Sequence, residues 1–315
     1  MKNVMMAIVV SVVVALGAGR VPGSRVMFWN LENYFDWRND STGVSDAEFS
    51  SRGARRWTRR RFRAKSNAIA KGILWAGAPE IIGLAEVENR FVLRQLINTT
   101  ALQKLDYEIV HYDSPDSRGI DVAMLYRRNS LSLLDSKACH IYEDTSILAT
   151  RDILLATFEY GSGDRIAVLV NHHPSKYGGA EESETRRWIA VSTLKNIVDS
   201  LQQAGVPRIV AIGDFNDTPD NAIYGMLPME NLSLPLHLRG LGTIRFEGEW
   251  ELIDQCFVSG MSEATLEILY IPFLMVPDRE HGGQKPLRTY SGPRYLGGVS
   301  DHCPILLQYS ESKEK

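Results

Sequence analysis

The residues able to do chemistry gather at the ends of apolar runs. "PRIVAI" leads into "GDFND" at 213–217, so a buried run is driven outward to present Asp214, Asn216 and Asp217. The arrangement recurs: Asn30 and Glu32 follow "RVMFW", Glu86 and Glu88 follow "IIGLA", and His172 and His173 end "IAVLVN". Asp254 opens "QCFV", and Asp301 with His302 precedes "PILL". Turn geometry alone favours Asp and Asn at strand ends. Six such ends, rich in carboxylate and imidazole, fit a shared task better. A carboxylate can orient or deprotonate water, an imidazole can move a proton near neutral pH, and an amide can donate a hydrogen bond while staying neutral. That set suits attack of water on a phosphoester.

The elements that must position these groups are short β-rich runs: 25–30, 80–86, 107–112, 121–126, 153–160, 165–173, 208–214, 252–259 and 304–309. Several are apolar on successive residues, as strands covered on both faces are. Between them, Phe62, Ser66, Ile69, Ile73 and Ala76 form an i,i+3/i+4 helical stripe. "EESETRRWIAVSTLKNIVDSLQQAG" is a longer amphipathic helix with acids first and Gly205 after its end, and "RFVLRQLIN" a shorter one. Consecutive strands without helices near 107–135 and 153–173 argue for sheets packed face to face with helices outside, rather than a doubly wound parallel sheet. The segments 39–60 and 276–300 read as surface loops.

The motifs "FWNLEN", "GLAEVEN", "RGIDVAMLY", "VNHHPSK", "IGDFND", "IDQCFVS" and "SDHCPI" span residues 26 to 307. In this order they resemble the endonuclease/exonuclease/phosphatase superfamily of metal-dependent phosphoesterases. The resemblance implies an α/β four-layer sandwich, two mixed β-sheets face to face with helices packed outside, and a site at one edge of both sheets. It implies metal ligation by Asn30, Glu86 and Asp301, an oxygen-only shell that favours Mg2+, or Mn2+, over zinc. Asp214 and Asn216 match the pair that positions the attacking water and holds phosphate oxygens. His302 matches the histidine facing the scissile phosphate, as base or as cationic stabiliser, and Asp254 the acid that orients it. His172 matches the second histidine, and strand alternation sends His173 to the opposite face. Arg151 and Arg118 are the expected phosphate-binding arginines. Asp121 either orients His172 or merely begins its strand, and Glu32 and Glu88 either join the site or face solvent. Neither a serine elbow nor a P-loop is present, so a covalent intermediate is not needed.

The net charge of −3 leaves any anion binding to local patches. One such patch, from Arg52 to Lys65, holds eight basic residues and no acid, with Trp57 interleaved, and could follow a DNA or RNA backbone. The start, with one early lysine and an apolar run from Val4 to Leu16, has the anatomy of a secretory signal peptide. The expected organisation is therefore a signal over 1–20, one domain over 21–310 and a polar tail over 311–315, in a secreted or periplasmic monomer without a stable membrane span once the signal is removed. Three cysteines, Cys139, Cys256 and Cys303, give neither a disulfide framework nor zinc spacing. The expected function is a divalent-metal-dependent nuclease or phosphodiesterase. The alternatives are a phosphomonoesterase or lipid/inositol phosphate phosphodiesterase, and a non-catalytic binding module.

Overall fold

The computed structural model describes residues 24–310 except 41–42, 176–179 and 262. The expected signal segment and polar tail lie outside the described residues. An eleven-residue strand begins the domain: β1 (Ser24–Tyr34) is covered on both faces for nearly its whole length. It pairs in parallel with β2 (Ile81–Val87), which pairs antiparallel with β4 (Asp121–Arg127), which in turn pairs with β3 (Tyr107–His111). On its other side β1 pairs antiparallel with β12 (Ile305–Tyr309), and β11 (Thr265–Ile268) closes that edge. The first sheet thus runs β11-β12-β1-β2-β4-β3.

The second sheet also has six strands. Its centre is β8 (Ile209–Asp214), parallel to β7 (Arg165–His172) and antiparallel to β10 (Asp254–Ser259). With β6 (Ile153–Tyr160), the edge strand β5 (Leu131–Cys139) and the two-residue β9 (Glu230–Asn231), the order is β9-β10-β8-β7-β6-β5. The two sheets meet through Val26, Phe28, Ile81 and Ala85 on one side and Val168, Val170, Val210, Ile212 and Cys256 on the other. Gly83 permits that approach, since a Cβ there would stand 2.8 Å from Val170 Cγ2.

Helices cover the outer faces. On the first sheet lie α1 (Arg59–Trp75) and α2 (Arg90–Thr99), packed on Trp29, Leu31, Ile82 and Leu84. The side chain of Thr58 caps α1 and Asn89 Oδ1 caps α2 through the amides of Phe91 and Val92, which satisfies N–H groups a helix start leaves open. The stripe Phe62, Ser66, Ile69 and Ile73 is the buried face of α1, as its spacing requires. On the second sheet α3 (Ala180–Gln203) packs Ala190, Val191, Leu194 and Val198 against Leu169, Ala211 and Phe257. The result is the four-layer sandwich expected from sequence. No helix among the described residues is long and apolar enough to cross a membrane. All three cysteines are free.

Candidate active site

Register sets the first row of functional side chains. In β8, Asp214 stands level with His172 of β7 and with Asp254 of β10. Alternation puts all three on the face that carries Val170, Ile212 and Cys256, toward the opposing sheet. From that sheet Asn30, also on the inner face, donates through Nδ2 to Asp214 Oδ2 at 3.0 Å. The apolar core between the sheets therefore ends in a polar seam that ties them together.

The β1–β2 pair is regular from Val26↔Ile81 to Asn30↔Ala85, breaks, and resumes at Tyr34↔Val87. Glu32, Asn33 and Glu86 in the break have φ of 47°, 56° and 58°, left-handed backbone that costs a non-glycine residue free energy. By plain alternation Glu86 would share the helix-facing side with Leu84; the bulge gives that side to Val87 and re-aims Glu86. Its Oε2 accepts from the Asn33 amide at 2.7 Å, which locks the two bulged segments together. Asn216, after β8, is the fourth such residue at the site, with φ 51° and its amide on Asp214 Oδ1 at 2.9 Å.

His302 lies on the connection into β12. Its Nδ1 is 2.8 Å from Asp254 Oδ2, and its Nε2 faces Asp214 Oδ2 at 3.8 Å and Asp301 Oδ1 at 3.9 Å. Burial alone would lower its pKa, but Asp254, Asp214 and Asp301 outweigh burial and hold it well above the usual imidazole range. Asp214 is raised, by burial first and then by Asp254, with the His302 charge opposing. His172, with Nε2 3.7 Å from Asp214 Oδ2, is pushed the other way by burial and by Arg151 and Arg118. The two imidazoles beside this one carboxylate are thus biased in opposite directions, His302 toward its cationic form and His172 toward its neutral form.

A second group of charges surrounds the bulge. Arg288 bridges Glu32 (Nε to Oε1, 3.0 Å) and Asp301 (Nη2 to Oδ2, 2.9 Å), while the Thr289 amide donates to Glu32 Oε2 at 2.7 Å. The buried Lys65 donates to the Glu32 carbonyl at 2.6 Å and to Thr289 Oγ1 at 2.8 Å. Burial lowers its pKa against the pull of Glu32, Glu86 and Asp301. Sequence reasoning missed Arg288, Thr289 and the site role of Lys65. Nothing local marks them, because Arg288 and Thr289 sit in a segment that reads as loop, more than 250 positions from Glu32 in the chain.

Several expectations need correction. Arg151 is buried, with Nη1 on Asp116 Oδ2 at 3.0 Å and Nη2 on the His173 carbonyl at 2.6 Å, so these two contacts make it a brace of the strand end beside the site. Asn216 Nδ2 donates to that same carbonyl at 2.9 Å. Arg118 is the accessible arginine: it stands 4.0 Å from Glu86 Oε1 and 3.7 Å from Asp116 Oδ1. Asp121 pairs with His111 at 2.9 Å and not with His172. Glu32 and Glu88 are both buried, so neither faces solvent. In the basic segment Trp57 is fully buried with its indole N–H on the Phe35 carbonyl, and Lys65 is an interior residue. Neither can meet a bound strand. The exposed members are Arg52, Arg56, Arg59, Arg60 and Arg63. His173 points to the outer layer, edge-on to Phe215 with ring centroids 4.6 Å apart.

The donor set fits a hard divalent cation. Asp214, Asp254 and His302 come within 4.8 Å of one another; Asn30 and Asn216 occupy both oxygens of Asp214, and the Asp254–His302 bond joins an acid to an imidazole, an arrangement that suits proton chemistry. Glu86 and Asp301 are different: with Glu32 they place three carboxylates in the common field of Lys65 and Arg288. Burial, and next the charge of Asp301, raise the Glu32 pKa against the opposing charges of Lys65 and Arg288. The oxygens of Glu86, Asp301 and Asn30, with no thiolate, are the ligand type such a cation prefers.

A six-on-six mixed β-sandwich with acids, amides and imidazoles at one edge is the build of a phosphoesterase. The chain belongs to the endonuclease/exonuclease/phosphatase family, whose model matches residues 25–311. Members of this family are phosphoester hydrolases that use divalent metals. Comparison with curated proteins finds no match. Among solved structures, the human Nocturnin catalytic domain with bound sulfate anion is similar at 18% identity and a TM-score of 0.59, covering 92% of this chain and 95% of that one. Truncated Caenorhabditis elegans TDP2 is similar at 16% identity and a TM-score of 0.59, covering 91% and 97%. D. rerio TDP2 complexed with single strand DNA product is similar at 13% identity and a TM-score of 0.57, covering 91% and 99%. At these identities the likeness shows the fold.

Proposed function

We propose that the protein is a secreted, divalent-metal-dependent nuclease or phosphodiesterase that cleaves by direct in-line attack of water. The observation that carries this reading is the Asp254–His302 pair facing Asp214, which the Asn30 amide and the Asn216 backbone hold in place. Asp214 orients the water and takes its proton; its raised pKa makes it a better base than a free carboxylate. His302, kept cationic by three carboxylates, donates to the phosphate oxygens on which charge develops. His172, neutral and buried, supplies a second polar contact without adding charge. Mg2+ or Mn2+ held by Glu86, Asp301 and Asn30 would polarise a non-bridging oxygen and offset leaving-group charge.

A nucleic-acid substrate is supported by the exposed arginines 52, 56, 59, 60 and 63, and by the single strand DNA product held by D. rerio TDP2 on the same fold. Secretion is supported by the apolar run Val4–Leu16 after an early lysine. The test is hydrolysis of plasmid DNA, RNA, bis-p-nitrophenyl phosphate and p-nitrophenyl phosphate, with Mg2+ or with chelator. The expected result is metal-dependent cleavage of the polynucleotides and the diester, abolished in Asp214→Ala and in His302→Ala. Turnover of the monoester alone would make the protein a phosphatase. Wild-type rates in both variants would remove the site.

A further inference from the structure

Outside the hydrolytic site, the first turn beyond β1 and the connection from β2 to α2 bring together Asp36, Asp40 and Glu88. One carboxylate oxygen from each lies within 4.8 Å of the other two. Asp36 and Glu88 are buried, and Asp40 is exposed at the rim. Asp46, also buried, is near enough for its charge to act on both Asp36 and Glu88. Some of these oxygens have protein donors: Glu88 Oε2 accepts from the Asp36 amide at 2.7 Å, and Asp36 Oδ1 from the Arg38 amide at 2.6 Å. Arg38 stands 3.7 Å from Asp40 Oδ2 and lies over the rings of Trp37 and Phe91.

An independent observation points to a ligand. Glu88 is 5% exposed, and its Oε1 is buried with no hydrogen-bond partner among the described residues. A buried carboxylate oxygen left without a donor costs free energy, and here it belongs to a cluster whose other members are also acids. We propose that Asp36, Asp40 and Glu88 form a Ca2+ site distinct from the hydrolytic one. Oxygens on opposite sides of a single Ca2+ stand about 4.6–5.2 Å apart, given bonds of about 2.3–2.6 Å, so three oxygens within 4.8 Å of one another can share one ion. All three side-chain donors are hard carboxylate oxygens, which Ca2+ takes with a high, flexible coordination number where Mg2+ demands a strict octahedron.

The site has a structural consequence. Asp36 lies four residues after Glu32, and Glu88 two after Glu86, so an ion here clamps the strand ends just past the bulges. It also anchors the segment leading to the arginine-rich stretch, which hangs on the same loop through Ser51 N to Trp37 O at 3.0 Å and Trp57 Nε1 to Phe35 O at 2.7 Å.

Calorimetric titration of the purified full chain with Ca2+ tests this, in wild type, Glu86→Gln and Asp40→Asn. Tb3+ luminescence sensitised by Trp37, the neighbour of Asp36, gives a second readout. Asp40 is exposed, so its substitution leaves the core untouched, and circular dichroism checks that. Binding should persist in Glu86→Gln, which disables the hydrolytic site, and weaken roughly 10-fold or more in Asp40→Asn, the scale on which a lost ligand shows. The Tb3+ signal should follow the same pattern. Ca2+ heat absent from Glu86→Gln, or unchanged in Asp40→Asn, would overturn the proposal and leave Glu88 as a protonated interior acid.

Discussion

Asp254 holds His302 by its Nδ1 at 2.8 Å, which turns Nε2 toward Asp214. That contact orients the imidazole and favours its cationic form. Asp254→Asn keeps the shape, removes the charge and offers a donor where an acceptor stood. The expected loss is in kcat, by about 10²–10⁴-fold, with KM little changed, because an orienting carboxylate acts on the reacting state more than on binding. Steady-state kinetics on a diester checks it; an equal rate would mean that His302 does not depend on Asp254.

Arg151 and Asn216 both donate to the carbonyl of His173, so the arginine acts on the site through the backbone. Arg151→Met leaves Asp116 buried without its closest cation. Arg118 still faces Asp116, so the cost should fall below the roughly 3–5 kcal/mol of a fully uncompensated buried charge, seen as a lower denaturant midpoint. Were Arg151 a phosphate ligand instead, the variant would raise KM at unchanged stability, and the two measurements together separate the roles.

His173 makes stability depend on pH. In the unfolded chain it titrates near 6.5; in the fold, burial and then the charges of Arg151 and Arg187 hold it down at about 3. Between those values the unfolded state binds a proton that the folded state refuses. The contribution is therefore complete above the unfolded value and lost as pH falls toward 3, at about 1.4 kcal/mol per pH unit. His173→Phe retains an aromatic ring against Phe215 and removes the titration. The drop in urea midpoint between about pH 7.5 and about pH 5 should be smaller in the variant than in wild type.

The arginine-rich segment predicts a salt effect. Arg59, Arg60 and Arg63 are exposed, whereas Arg61 is tied to the carbonyls of Arg55 and Arg56. Replacing the three exposed residues by Gln should slow polynucleotide cleavage and leave hydrolysis of a small diester unchanged. The log–log salt slope of DNA binding should fall by roughly 0.7–0.9 for each arginine that meets a phosphate. Equal effects on both substrates would remove the nucleic-acid assignment.

The periodic parts of the fold were readable from residue order. Runs such as 153–160 and 209–214 are apolar because both faces are covered, and the stripe through Phe62 and Ile69 is helical because one face is. The polar ends of those strands were equally legible, since a carboxylate or imidazole at the end of a buried run is visible without coordinates. Alternation alone separated His172 from His173.

Local pattern could not supply register, bulges or partners. That Asp214 stands level with both His172 and Asp254 depends on how three strands slide past one another. Alternation would have sent Glu86 to the helix side, and only the left-handed bulge, held by Asn33, gives that side to Val87 instead. The buried place of Lys65, Trp57 and Arg151 reverses what their chemistry suggests in isolation. Residue order specifies which groups exist and how often they face inward. Which of them meet is decided by contacts between segments hundreds of positions apart, formed only when the two sheets close on each other.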